Sequence, residues 1–141
     1  MKKTDLAYIA GLIDGEGCIS IVKKKDLIHG SSNYDLRVSV NMTSEYLIQY
    51  LHFAFGGFWR ERKKIEERHK QQWMWAVSGP KASEFLLTIL PYLIIKKPQA
   101  ELALRFQSTR RKGGYGQGIK KPEPISILEE ADFLLMKSLK R

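Results

Sequence analysis

Nine residues near the start of the chain, Ile9-Ala10-Gly11-Leu12-Ile13-Asp14-Gly15-Glu16-Gly17, restrict its fold more than any other stretch. Leu6, Ile9, Leu12 and Ile13 recur at helical spacing, and Thr4 or Asp5 can cap the start, so a short amphipathic helix is expected. Ala7, Gly11 and Gly15 stand four apart and give that helix a second face of nearly bare backbone. Another helix can approach such a face closely. Gly15 and Gly17 are expected to supply the permissive backbone that ends the helix and turns the chain into a strand. Glu16 then stands at a helix-to-strand corner, where its carboxylate can face something lying across the helix end.

Downstream the pattern alternates between strands and helices. Ile19 and Ile21 interleave with Cys18, Ser20, Val22 and Lys24, which predicts a strand running out into Lys23-Lys24-Lys25. Gly30-Ser31-Ser32-Asn33 reads as a turn. Tyr34, Leu36, Val38, Val40 and Met42 then alternate with Asp35, Arg37, Ser39 and Asn41, so this second strand has one buried face and one that meets water or a polar ligand. Thr43 or Ser44 caps a helix with Leu47, Ile48, Leu51 and Phe55 as its stripe, closed by Gly56-Gly57. Strands follow at 58–62 and 72–78, separated by a charged loop. Trp73 and Trp75 share parity with Val77 and are expected in the core. Gly79-Pro80 opens a helix with Phe85, Leu86 and Ile89 inward. Pro98 opens another with Leu102, Ala103 and Phe106. Arg110 to Gly118 reads as a basic loop, and a last amphipathic helix carries Ile127, Leu128, Phe133, Leu134 and Met136.

The 141 residues fit a single domain, with a core at about 5–107 and a basic loop and helix at about 108–141. A net charge of +9, from 24 Lys plus Arg against 15 Asp plus Glu, favours an anionic partner, most simply nucleic acid. A ribosomal-type binder would carry the same charge, but it gives no reason to place an acid at a glycine corner. Cys18 is the sole cysteine, which excludes an intrachain disulfide and a Cys-based zinc site, and His29, His52 and His69 lack metal-ligand spacing. No N-terminal signal and no apolar run of about 18 residues is visible, so the expectation is a cytoplasmic, or at least intracellular, protein without a membrane partner. Organelle encoding stays open.

The corner resembles the signature of the LAGLIDADG homing endonucleases. Ala10, Gly11, Leu12, Ile13, Asp14 and Gly17 match the family name letter for letter, while Ile9, Gly15 and Glu16 are ordinary variations. The α+β order αββαββα with additional C-terminal helices is similar to that family's fold. The resemblance implies a curved four-stranded antiparallel sheet that serves as a DNA-binding saddle. It also implies a homodimer for a chain with one motif copy, paired through Ala7, Ala10, Gly11, Asp14 and Gly15.

The same resemblance implies a site-specific endonuclease. Its homodimer would cleave a long, nearly palindromic double-stranded DNA across the minor groove and leave 3′ overhangs. Glu16 would ligate Mg²⁺, with Mn²⁺ as a substitute and the Gly15 carbonyl as a further ligand. Mg²⁺ needs only one or two protein carboxylates, so Glu16 from two subunits suffices. Asp14 is read as structural, holding the helix ends together across the dimer. Lys96, in Pro91-Tyr92-Leu93-Ile94-Ile95-Lys96-Lys97-Pro98, matches the lysine that family members place near the scissile phosphate. Where some relatives carry a water-positioning Gln, this chain has Ser44, whose capping role is the stronger reading.

Strand parity assigns the DNA face to Cys18, Ser20, Val22 and Lys24, then Asp35, Arg37, Ser39 and Asn41, then Phe58, Arg60 and Arg62, then Gln72, Met74 and Ala76. Arg pairs bidentately with guanine and Asn with adenine, so this face can specify bases. Lys23 to Lys25, Lys63-Lys64 and Arg110 to Lys112 are expected to follow the phosphate backbone. Two rival functions remain: an RNA-splicing maturase with intron RNA as partner, and a DNA-binding regulator that has lost cleavage.

Overall fold

The computed structural model describes residues 1–25, 32–110 and 121–140. Helix α1 (Lys3–Glu16) leads into β1 (Gly17–Lys25), β2 (Ser32–Met42), α2 (Glu45–Phe55), β3 (Phe58–Glu61) and β4 (Trp73–Ser78). Helices α3 (Gly79–Ile89), α4 (Lys97–Ser108) and α5 (Glu123–Leu139) follow, with a 3-10 turn at Leu90–Tyr92 between α3 and α4. This is the expected αββαββα order with helices added after it. Gly30 and Ser31 of the expected first turn, and the basic loop after Arg110, lie outside the described residues, while Ser32 and Asn33 of that turn belong to β2.

The four strands form one antiparallel sheet in the order β1-β2-β4-β3. Period-2 alternation puts Ile19, Ile21, Leu36, Val38, Val40, Trp75 and Val77 on one face, all buried. Against them pack Ile9 and Ile13 of α1, Ile48 and Leu51 of α2, Phe85, Leu86 and Ile89 of α3, and Phe106 of α4. Each such side chain contributes about 1.5–3 kcal/mol by leaving water. Trp75 is the largest of them, stacked edge-on against Phe85, and its indole N–H donates to the Gly56 carbonyl at 2.8 Å. Ser44 caps α2 by accepting the Leu47 N–H at 3.3 Å. Gly57 holds φ +80°, and a Cβ there would stand 2.3 Å from the Ala76 carbonyl oxygen, so only glycine fits where α2 turns into β3.

Several local expectations are corrected. Helix α1 starts at Lys3, and Asp5 acts from inside its first turn by accepting the Lys2 N–H at 3.1 Å. Gly15 is helical, and Gly17 is extended (φ −82°, ψ 162°) and not left-handed. Gly17 is required by space: a Cβ would lie 2.8 Å from both the Ile13 Cα and its carbonyl oxygen. Strand β3 ends at Glu61, although the Arg62 N–H still donates to the Gln72 carbonyl at 2.8 Å.

Helix α5 differs most. Glu129, Asp132 and Met136 are buried, while Ile127, Leu128, Leu134 and Leu135 are exposed. The buried acids are tolerated because each is paired. Asp132 meets Arg105 at 2.8 Å, and Glu129 meets Lys121 at 2.7 Å and Arg110 at 3.7 Å. The Arg105–Asp132 pair ties α5 to α4.

Candidate active site and nucleic-acid interface

The C-terminal end of α1 is built into the link between α3 and α4. The Asp14 carboxylate accepts three consecutive backbone N–H groups, from Ile94 (2.9 Å), Ile95 (3.2 Å) and Lys96 (2.9 Å). In return the Lys96 ammonium donates to the carbonyls of Ile13 (3.0 Å) and Asp14 (2.7 Å). A helix ends with carbonyls that lack intrahelical partners and with a partial negative charge, so a cation is favoured there. Lys96 also stands just ahead of the α4 N-terminus, where a cation is disfavoured. Its ammonium instead caps a different helix.

This corner leaves the Glu16 carboxylate exposed. It also leaves the Gly15 carbonyl without a hydrogen-bond partner among the described residues. Beside it runs the bare face of α1. Ala7, Gly11 and Gly15 are exposed, and a Cβ built on Gly11 or Gly15 meets nothing within 4 Å. One residue assigned to a dimer contact is corrected. Ala10 is fully buried in its own chain's core. Asp14 accepts three N–H groups of its own α3–α4 link, a role within the chain that the sequence did not show.

The second face of the sheet carries the polar residues in register. One rung crosses all four strands as Cys18–Ser39–Ala76–Phe58, flanked by Ser20–Arg37–Ser78 and by Asn41–Met74–Arg60. Val22 opposes Asp35, and Lys24 opposes Asn33 at the outer end. Arg37 lies over the Phe58 ring at 5.7 Å, reaching from β2 across β4 to β3. Its Nε and the Asn41 Oδ1 are buried atoms without hydrogen-bond partners among the described residues. Met74 and Ala76 have the expected parity but are covered by their neighbours, Met74 to 7% exposure. Of Gln72, Met74 and Ala76, Gln72 is left accessible. Near it, Arg62, Lys63, Lys64, Ile65, His69, Lys70 and Gln72 line an open basic cleft of about 300 Å³.

At the β1 edge, Lys140 reaches from the end of α5 onto the polar face. Its ammonium donates to the Ser20 hydroxyl at 2.5 Å and to the Cys18 sulfur at 3.3 Å. Burial pushes the Cys18 thiol up, but the Ser20 hydrogen bond and the charges of Lys140 and Lys96 outweigh it and hold the thiol below its ordinary range. Sequence reasoning missed Lys140, since a lysine ending an amphipathic helix carries no local signal of such a contact. At the far end of β1, the Tyr34 hydroxyl donates to Glu130, which also pairs with Lys23 at 2.9 Å. These two partners hold the Glu130 carboxyl below the usual carboxylate range.

Among the described residues no cluster of three or more His, Cys, Asp or Glu side chains could hold a metal, and no helix is long and apolar enough to cross a membrane. A family model described as LAGLIDADG endonuclease matches residues 9–109. The homing endonuclease I-CvuI, solved in complex with DNA in the presence of Mg, superposes with a TM-score of 0.76 at 18% identity, covering 97% of this chain and 82% of that one. The archaeal intron-encoded homing endonuclease I-Vdi141I, complexed with DNA, gives 0.61 at 14% identity over 99% of both chains. The LAGLIDADG homing endonuclease I-GzeII, in complex with its DNA target, gives 0.65 at 13% identity over 94% of this chain but 43% of its own. At these identities the superpositions establish the fold. No curated protein sequence matches the chain.

Proposed function

The chain belongs to the LAGLIDADG endonuclease family, and from that premise we propose that it is a homodimeric, site-specific DNA endonuclease of the homing type with Glu16 as its metal-binding acid. The observation that carries this reading is the division of labour at the α1 terminus. Lys96 closes the Ile13 and Asp14 carbonyls, while the Glu16 carboxylate and Gly15 carbonyl stay open at the point where the bare helix face meets the polar sheet.

A hard divalent cation suits that donor set. One chain offers a single carboxylate at this corner, and Mg²⁺ is content with one or two carboxylates plus water and phosphate oxygens. Glu16 of a second copy would complete the set, with Mn²⁺ as an acceptable substitute. The bound cation supplies water activation and neutralises charge on the phosphate. The chain's own residues do the rest. Lys96 fixes the helix end that presents Glu16, and the remaining donor of its ammonium is available to a phosphate oxygen. Arg37, Arg60 and Asn41 read base edges of a long, nearly palindromic duplex, while Arg62 and Lys63 hold its backbone.

Pairing through Ala7, Gly11 and Gly15 is supported by the exposure of all three and by the empty space over the two glycines. Cleavage across the minor groove to leave 3′ overhangs follows the family pattern. An intracellular setting follows from such a substrate.

The test is incubation with Mg²⁺ and a randomised duplex library, followed by sequencing of the cut ends. Wild-type protein is expected to return one long, nearly symmetric site. Glu16→Gln keeps shape and polarity but removes the charge, so it should abolish cutting of both strands with target affinity retained. Cutting by Glu16→Gln at the wild-type rate would move the nuclease site elsewhere. Sequence-specific binding without any cutting would favour a regulator, and cognate binding confined to intron RNA a maturase.

A further inference from the structure

The end of α5 packs Met136 into the core and Leu139 against it, and so stands beside the start of β1, just after Glu16. Buried Gln99, in the first turn of α4, donates through its amide to the Leu139 carbonyl at 3.3 Å. That contact sets the end of α5 against the α4 segment that follows Lys96. From there Lys140 bends over the β1 edge to Ser20 and Cys18. These two residues begin the polar face immediately after the corner. Cys18 lies two residues beyond Glu16, about 7 Å of chain at strand rise.

The partners of Lys140 are a hydroxyl and a thiol, and neither is a carboxylate. No carboxylate pairs with Lys140 among the described residues. Lys96 likewise gives two of its three donors, to α1 carbonyls, and keeps one. Lys140 therefore adds a second ammonium with one donor left, on the face that carries Arg37 and Ser39.

We propose that Lys140 is a second phosphate-binding cation of the cutting site, engaging a backbone phosphate of the DNA strand that crosses the β1 edge beside Glu16. This rests on the nuclease reading and adds to it a contact made by α5, an element outside the αββαββα core. Each subunit of a dimer would supply one such contact. Its hydrogen bonds to Ser20 and Cys18 hold the long side chain over the groove before DNA arrives, which lowers the ordering cost of binding.

The test compares Lys140→Ala and Lys140→Arg with wild type on the selected duplex. Affinity is measured in Ca²⁺ across a salt series, and single-turnover cleavage in Mg²⁺. Lys140→Ala is expected to flatten the log–log salt dependence by about 0.9 for each Lys140 engaged. It is also expected to slow cleavage roughly tenfold, the scale of one lost charge-assisted hydrogen bond. Lys140→Arg should restore both, and the unfolding midpoint should stay unchanged in each variant. An unaltered salt slope in Lys140→Ala would overturn the proposal, whether or not cleavage falls. So would a loss in Lys140→Ala that tracks reduced thermal stability and is not recovered by Arg. A wild type that binds but never cuts would instead remove the nuclease reading, while the salt slope still judges the phosphate contact.

Discussion

Asp14 and Lys96 hold each other from both directions: the Asp14 carboxylate accepts the Lys96 backbone N–H at 2.9 Å, and the Lys96 ammonium donates to the Asp14 carbonyl at 2.7 Å. The two residues are 82 positions apart, so the loop they lock joins the end of α1 to the start of α4. Asp14→Ala removes the acceptor for three N–H groups at once. It is expected to cost about 1–3 kcal/mol, since these donors lie at the surface and water compensates in part. Denaturant unfolding measures this. Lys96→Met should lower stability by about 1 kcal/mol through the helix end alone. Cleavage by Lys96 variants should therefore be compared at temperatures where both proteins are fully folded.

The glycines of α1 separate fold from assembly. Gly17→Ala forces a Cβ against the Ile13 backbone and should destabilise the single chain by about 1–3 kcal/mol. At Gly11 a Cβ meets nothing within 4 Å in its own chain, so Gly11→Leu should leave the fold intact while weakening self-association. Light scattering at micromolar concentration distinguishes the two. A wild type that is monomeric under those conditions would remove the paired-corner reading of Glu16.

Base readout and backbone holding predict opposite signatures. Arg37→Ala or Arg60→Ala should relax preference at a symmetric pair of positions, at about 1–3 kcal/mol per lost bidentate contact. Lys63→Ala should weaken all duplexes alike and flatten the salt dependence. Selection on a randomised library, repeated for each variant, shows which occurs. Uniform loss of affinity in the Arg variants with unchanged preference would reassign them to phosphate.

The far end of β1 carries a pH-dependent element. The Tyr34 hydroxyl and the Lys23 ammonium depress the Glu130 carboxyl. A depressed carboxyl stabilises the fold above its unfolded-state pKa, and the contribution is lost as pH falls through the folded value. Glu130→Gln should therefore lower the unfolding midpoint at neutral pH, and the gap from wild type should close in acid. Thermal melts across pH 3 to pH 7 (about the carboxylate range and above) follow the closure. A gap that persists undiminished at the acid end would show that the ion pair is not its source.

What the sequence determined by itself was whatever depends on short-range periodicity. The alternation from Tyr34 to Met42 assigned each residue of β2 to its face, because side chains in a strand change sides at every step. Ser44 at the head of α2 and Gly56-Gly57 at its end were legible for the same reason, since caps act within one turn. Parity also placed Arg37, Ser39 and Phe58 on one surface, although it could not show that Arg37 would lie over the Phe58 ring.

Only the tertiary structure decided where long-range partners meet. Ala10 and Gly11 look alike in the motif, yet the packing of α3 against α1 buries one and leaves the other bare. Glu129 and Asp132 are buried on α5, and Arg105 and Arg110, at and beyond the end of α4, are brought to them only by the fold. Met74 has the parity of an accessible residue and loses it to neighbours from other strands. Lys96 caps a helix more than 80 residues upstream, and Lys140 reaches Ser20 across 120 residues. A helix end and a strand edge attract a cation through unsatisfied carbonyls and hydroxyls, and those groups select their partner by proximity in the folded chain, which no local pattern encodes.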